Sequence, residues 1–153
     1  MNWKRQLKEL KLNDIKSKAP SFFELSGGYE MNVKPYTDKT ANGLTKCIVD
    51  FITFNNGSAT RINTQGQARV EKIQLASGKQ MDKVRYTPSM TRRGTADLHA
   101  CIRGKHISIE IKTGSDKMSE FQNKEKERIE NAGGLFWEVK NMDDFIELYN
   151  KHF

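Results

Sequence analysis

Asp97, Glu110 and Lys112 are the residues whose types and spacing permit chemistry. Ile107, Ile109 and Ile111 alternate with Ser108, Glu110 and Lys112. Successive side chains of a strand point to opposite faces, so the isoleucines take the core side. Glu110 and Lys112 are left together on the face expected to meet a ligand. Upstream, Ala96, Leu98, Ala100 and Ile102 alternate with Asp97, His99, Cys101 and Arg103, and Gly104 divides the two runs. This is the pattern of a β-hairpin. A turn at 103–104 opposes Asp97 to Glu110, and a turn at 104–105 opposes it to Lys112. Either register gathers two carboxylates and an ammonium on one face, provided the loop holds an even number of residues. An odd loop without a bulge turns Asp97 toward the isoleucines, where an unpaired charge is costly.

Two carboxylates packed together repel unless a cation stands between them. Hard oxygen donors suit Mg²⁺ or Mn²⁺, ions that keep water and also bind phosphate. A lysine beside metal-bound water can position or deprotonate it and offset charge on a phosphate. Taken alone, Glu-x-Lys reads as an exposed ion pair of little energetic worth. The surrounding sequence changes that balance.

Elements able to hold the hairpin flank it on both sides. Leu44, Cys47, Ile48, Phe51 and Ile52 form one apolar stripe of a helix that begins after Thr40 and ends at Asn55-Asn56-Gly57. Short strands are predicted at 59–63, 67–75 and 81–87, separated by Thr64-Gln65-Gly66 and Ser77-Gly78. Ser119 and Gln122 form a capping-box pattern for a helix that stops at Gly133-Gly134. A strand over 135–140 precedes a last helix, capped by Asn141, with Met142, Phe145, Ile146 and Tyr149 as its apolar face. The order predicts an α/β fold, a central mixed β-sheet flanked by helices. Residues 1–38 read as a separate basic extension, helical around Trp3, Leu7 and Leu10 and irregular past Pro20, Gly27, Gly28 and Pro35. It is expected to cover part of the core, and a contact with phosphate is its sharper reading.

The 36% hydrophobic and 29% charged residues among 153 suit one soluble globular domain over 39–153 rather than a disordered chain. The net charge of +7, from 26 basic and 19 acidic side chains, favours a polyanionic partner. Cys47 and Cys101 lack a second Cys or His at ligand spacing, so both are expected as small buried hydrophobes. Arg92 and Arg93 suit bidentate phosphate contacts. His99 is read first as a polar strand residue, and Lys117, Lys124 and Lys126 as a solvated helix face. No apolar run reaches the ~20 residues of a membrane span, and the N-terminus lacks a secretion signal's apolar core. No membrane partner and a cytoplasmic, intracellular setting are therefore expected.

Gly94-Thr95-Ala96-Asp97, then twelve residues, then Glu110-Ile111-Lys112-Thr113-Gly114 and Ser119-Glu120-Phe121-Gln122, is a far more specific run. It resembles the PD-(D/E)XK nuclease superfamily, and within it the VRR-type (VRR-NUC-like) nucleases of viral, bacterial and repair proteins. The likeness covers about residues 41–149. It implies a restriction-endonuclease-like fold and Mg²⁺- or Mn²⁺-dependent hydrolysis of phosphodiesters in DNA, with branched or flapped DNA among the substrates. By the same resemblance, Asp97 and Glu110 ligate the metal together with the backbone carbonyl of Ile111. Lys112 is the catalytic lysine, and Gln122 lies close to the substrate or the metal's water. Arg61 and Asn63 match an Arg-x-Asn feature on an adjacent strand, and with Arg92 and Arg93 they complete the expected DNA-binding set. A viral or bacterial origin and a homodimer that engages two strands fit the same likeness. One departure stands out. The glutamate that the family carries on its first helix falls here on Ala41 or Asn42, and Asn42 offers an amide oxygen without charge. The rival expectation is therefore a nuclease-fold DNA-binding module with weak or lost turnover.

Overall fold

A computed structural model describes residues 2–64, 66–75 and 77–153. Gln65, the middle of one predicted separator, lies outside them. Helix α1 (Trp3–Lys18) opens the chain, followed by α2 (Pro20–Leu25), a 3-10 turn at Gly28–Glu30, and α3 (Ala41–Phe54). Strands β1 (Ser58–Arg61), β2 (Gln67–Gln74), β3 (Gln80–Thr87), β4 (Leu98–Ile102) and β5 (Lys105–Ile111) come next. Helix α4 (Glu120–Asn131), β6 (Leu135–Val139) and α5 (Met142–His152) complete the order. Each main helix begins where its cap chemistry dictates. The Thr40 hydroxyl accepts from Gly43 N at 3.1 Å, and Asn141 Oδ1 accepts from Asp144 N at 2.9 Å. Ser119 and Gln122 close a reciprocal capping box at α4.

The central sheet has the order β1-β4-β5-β6. β1, β4 and β5 are antiparallel neighbours, and β6 joins β5 in parallel after the α4 crossover, so the sheet is mixed. The β4–β5 hairpin closes with Ile102 opposite Lys105, a two-residue turn at Arg103-Gly104. Both turn residues have positive φ, 48° and 80°, as a type I′ turn requires. The first of the two even registers is therefore the one adopted, and its continuation sets Asp97 opposite Glu110. Ile107, Ile109 and Ile111 are buried against the apolar stripe of α3 and against Phe145 of α5 in one core cluster.

Three expectations are corrected. β2 and β3 do not join the central sheet. They pair with each other as a separate two-stranded sheet whose side chains are exposed almost throughout. Neither strand carries a continuous apolar face to bury, so nothing draws the ribbon onto the core. Cys101 is exposed, unlike buried Cys47, because it alternates with Ala100 and Ile102 and so falls on the polar face near the turn. β1 ends at Arg61, which leaves Asn63 in the loop beyond the strand.

Residues of the 1–38 extension share the core. Trp3, Leu7 and Tyr36 belong to the same buried cluster as α3 and the sheet. The Tyr36 hydroxyl donates to Asp50 Oδ2 at 2.7 Å, and Lys46 Nζ holds the same oxygen at 2.8 Å, pinning the lead-in segment to α3. No helix among the described residues is long and apolar enough to cross a membrane. Leu7 has no exposed surface. Leu7→Ala should therefore cost about 2–5 kcal/mol, the range for emptying a buried leucine site, read as a lowered urea midpoint at unchanged slope.

Candidate active site

Glu110 and Lys112 stand on the face of β5 opposite the isoleucines, yet they are only 3% and 5% exposed. The expected ligand-facing surface is thus covered at these two residues. The chain after β5 turns back and lays the first turn of α4 over the strand end. Gln122 is the contact. Its Oε1 accepts from Ser119 N at 2.8 Å and from Lys112 Nζ at 3.1 Å. That fixes the amide's orientation, so Nε2 faces Glu110 Oε1 and donates to it. Lys112 Nζ also lies 3.1 Å from Glu110 Oε1 and 3.4 Å from Asp116 Oδ2. The capping box that starts α4 therefore also orients the amide that bridges the ion pair.

The second Glu110 oxygen, Oε2, is buried and has no hydrogen-bond partner among the described residues. Burial, and then the charge of Asp97, push the Glu110 carboxyl up to about 7 against the pull of Lys112. Burial pulls the Lys112 ammonium down, but its bonds and charge contacts with Glu110 and Asp116 outweigh this and leave it raised. Asp97 is half-buried, and its Oδ2 accepts from Ile111 N at 2.9 Å. Its backbone carbonyl accepts from Ile62 N at 2.8 Å, so one residue ties β5 to the end of β1.

Gly94 explains how α4 comes so close. Its φ is +86°, and a Cβ there would overlap the Phe121 carbonyl and stand 2.9 Å from Gln122 N. Glycine alone lets the segment leading into Asp97 touch the first turn of α4.

The remaining predicted residues lie around this cluster. Arg61, Asn63 and Asp97 line one cleft, and Arg92, Arg93 and Gln122 line a neighbouring one. Arg61 opposes Leu98 in register, so its Cβ leaves the sheet on the face away from Asp97. Arg92 pairs with Glu125 at 3.7 Å, and the Arg93 guanidinium stacks 5.6 Å from the Phe121 ring. Asn42 is exposed on the first turn of α3, and no hydrogen bond among the described residues joins it to the cluster. His99 lies edge-on to His106 at 5.2 Å, and burial, with His106, lowers its pKa. Sequence reasoning missed Asp116, whose only signal was its i+4 distance from Lys112 across a Thr-Gly loop. It also saw Ser119 as a cap and not as the group that orients Gln122.

Among the described residues, no group of three or more His, Cys, Asp or Glu side chains is arranged to hold a metal. The donors at hand are two carboxylates, Asp97 and Glu110, and the Ile111 backbone. Their chemistry suits one hard cation, because Glu110 Oε2 is buried with no hydrogen-bond partner among the described residues and the charge of Asp97 acts on the same carboxyl. No family model matches this chain, and no curated protein matches it.

Two outcomes follow from this geometry. Gly94→Ala should destabilise the protein by about 2 kcal/mol or more, since positive φ alone costs a Cβ residue about 1–2 kcal/mol and the overlap adds to it. Thermal unfolding measures this. For pH, Glu110 in the folded protein binds its proton more tightly than the ordinary 4.5 of a glutamate. Its contribution is fully present below about 4.5 and is lost as pH rises through about 7. In EDTA, the stability of wild type relative to Glu110→Gln should fall across that window, read from urea midpoints at each pH. A flat difference would show that Glu110 is not strained by burial.

Proposed function

We propose that this chain is a metal-dependent nuclease that hydrolyses phosphodiester bonds in DNA, built on a restriction-endonuclease-like fold of the PD-(D/E)XK, VRR type. The observation that supports the reading above all is Glu110 Oε2, a buried acceptor with no partner among the described residues, on the side where the β4–β5 register, continued one pair past Leu98–Ile109, sets Asp97. Leaving such an oxygen unsatisfied costs roughly 1–3 kcal/mol or more, and a divalent cation relieves it. Asp97, Glu110 and the Ile111 carbonyl would hold Mg²⁺ or Mn²⁺. The bound ion would supply Lewis acidity and a water of lowered pKa.

The chain's own groups do the rest. Lys112, with three donors, keeps a positive charge where a phosphate undergoing attack gains negative charge. Gln122, locked by Ser119, keeps the Lys112 ammonium and the Glu110 carboxylate at fixed positions and shields both from water. Arg92 and Arg93 on one side and Asn63 on the other carry donors to the phosphate backbone, whereas Arg61, which leaves the sheet on the face away from Asp97, would reach DNA only from the cleft rim. A second reading, a DNA-binding module of the same fold with weak or no turnover, draws on exposed Asn42. No acidic residue stands there to add a third negative charge.

Linear, flapped and four-way DNA should be cut with Mg²⁺ or Mn²⁺ and not in EDTA. Asp97→Asn, Glu110→Gln and Lys112→Ala should each lower the rate by at least about a hundredfold, the scale of losing one catalytic group. Full activity in EDTA, or wild-type rates in two of the three variants, would sink the assignment. Tight binding with no cleavage of any of these DNAs would favour the second reading.

A further inference from the structure

The β2–β3 ribbon stands off the body with both faces exposed, and isolated two-stranded sheets are marginal in water. Its register sorts the side chains into two unlike faces. Arg69 stands opposite Arg85, and Glu71 opposite Lys83, on one face. Val70 opposes Val84, and Ala68 opposes Tyr86, on the other. Residues 67–87 carry five basic and two acidic side chains. Like charges directly opposite in a ladder destabilise it. Arg85 finds partial relief in Glu71 at 3.7 Å, whereas among the described residues the Arg69 guanidinium donates to the neutral Gln67 amide at 3.4 Å and meets no carboxylate. A polyanion laid on this face would remove that repulsion.

The ribbon also leads to the site. Arg69 and Asn63 line one cleft at its base. Asn63 and Asp97 share the next, and Gly66 and Tyr86 at the base share a third with Gln122. The clefts adjoin through Asn63, Thr64 and Gly66, so they follow one another from Arg69 to Asp97 and Gln122 at the edge of the buried cluster. We infer that the β2–β3 ribbon is an arm that binds duplex DNA, its Arg69, Lys83 and Arg85 on the phosphate backbone, and so seats the duplex over the candidate site. This rests on the nuclease reading for what happens at the site, but the binding itself does not need it. Eight-residue strands extend roughly 25 Å, enough to follow a duplex for about seven base pairs at 3.4 Å each. A single strand is disfavoured as the ligand, because Tyr86 is the ribbon's one ring and a row of stacking aromatics is missing.

The test is binding by the full chain in EDTA, to a duplex and to a single strand of equal length, over a series of salt concentrations. Arg69→Ala with Arg85→Ala should weaken duplex affinity about tenfold or more at moderate salt. It should also flatten the plot of log affinity against log salt by about 2, near 0.9 for each phosphate that is no longer neutralised. Arg69→Lys with Arg85→Lys should keep the slope, and no variant should melt appreciably below wild type, because these positions are exposed and the alanines remove a like-charge pair. An unchanged slope in the alanine variant would overturn the inference. So would an equal loss on the single strand, or an unchanged slope joined to a dimer that Val84→Lys dissolves, which would make the ribbon a contact between copies. Unchanged binding with normal Mg²⁺-dependent cutting removes the arm and leaves the nuclease. A flattened slope with no cutting does the reverse.

Discussion

Lys112 Nζ lies 3.1 Å from Glu110 Oε1, and both side chains are almost wholly out of water. Burying two opposite charges costs several kcal/mol per ion before their attraction returns any of it, and the return depends on geometry. Here the geometry is supplied from outside the pair. Gln122 is held by Ser119 N, and through it the start of α4 is bound to the strand it must cover. Asp116 reaches Lys112 from the connecting loop. Strand, loop and helix are thus locked by one polar network, and shifting any of them leaves a buried charge unpaired.

The network is incomplete in one respect. Glu110 offers two oxygens, and among the described residues the surrounding donors are directed at Oε1. Asp97 cannot help, since another carboxylate only adds repulsion, and it is turned in part to the Ile111 N–H. A protein fully optimised for stability would replace such a pair with apolar groups or add a donor. The strain is concentrated where two carboxylates, a lysine and a fixed amide meet, and perturbed carboxyls of this kind cluster at functional sites.

Charge is distributed with a similar bias. The body buries its apolar residues behind the isoleucine face, while the arginines at the clefts and on the ribbon stay largely in solvent. Among the described residues the ribbon contributes no buried side chain to the core, so its side chains face outward. Its opposed arginines and its bare Val70–Val84 row are costs in the free protein.

The parity of one hairpin was readable from residue order alone. Alternation over 96–112 with a glycine at 104 confines the loop to an even length if Asp97 is to escape the isoleucine face, and the Arg103-Gly104 turn satisfies that. Helix starts were equally readable, because Thr40, Ser119 and Asn141 act on backbone groups two or three residues away. Such signals are local, and local sequence determines them. The fate of β2 and β3 was not local. Their strand character was evident, but whether they joined the main sheet depended on a shared apolar face that only the assembled core could offer or withhold. Residues 1–38 read as an extension covering part of the core, and only packing showed that Trp3 and Leu7 are buried within the same cluster as α3 and the sheet. Likewise Gly94 read as one letter of a motif until the backbone of Phe121 was seen against it. The burial of Glu110 and Lys112 was decided the same way. Sequence parity put them on one face together, but how close α4 approaches that face depends on contacts between residues far apart in the chain.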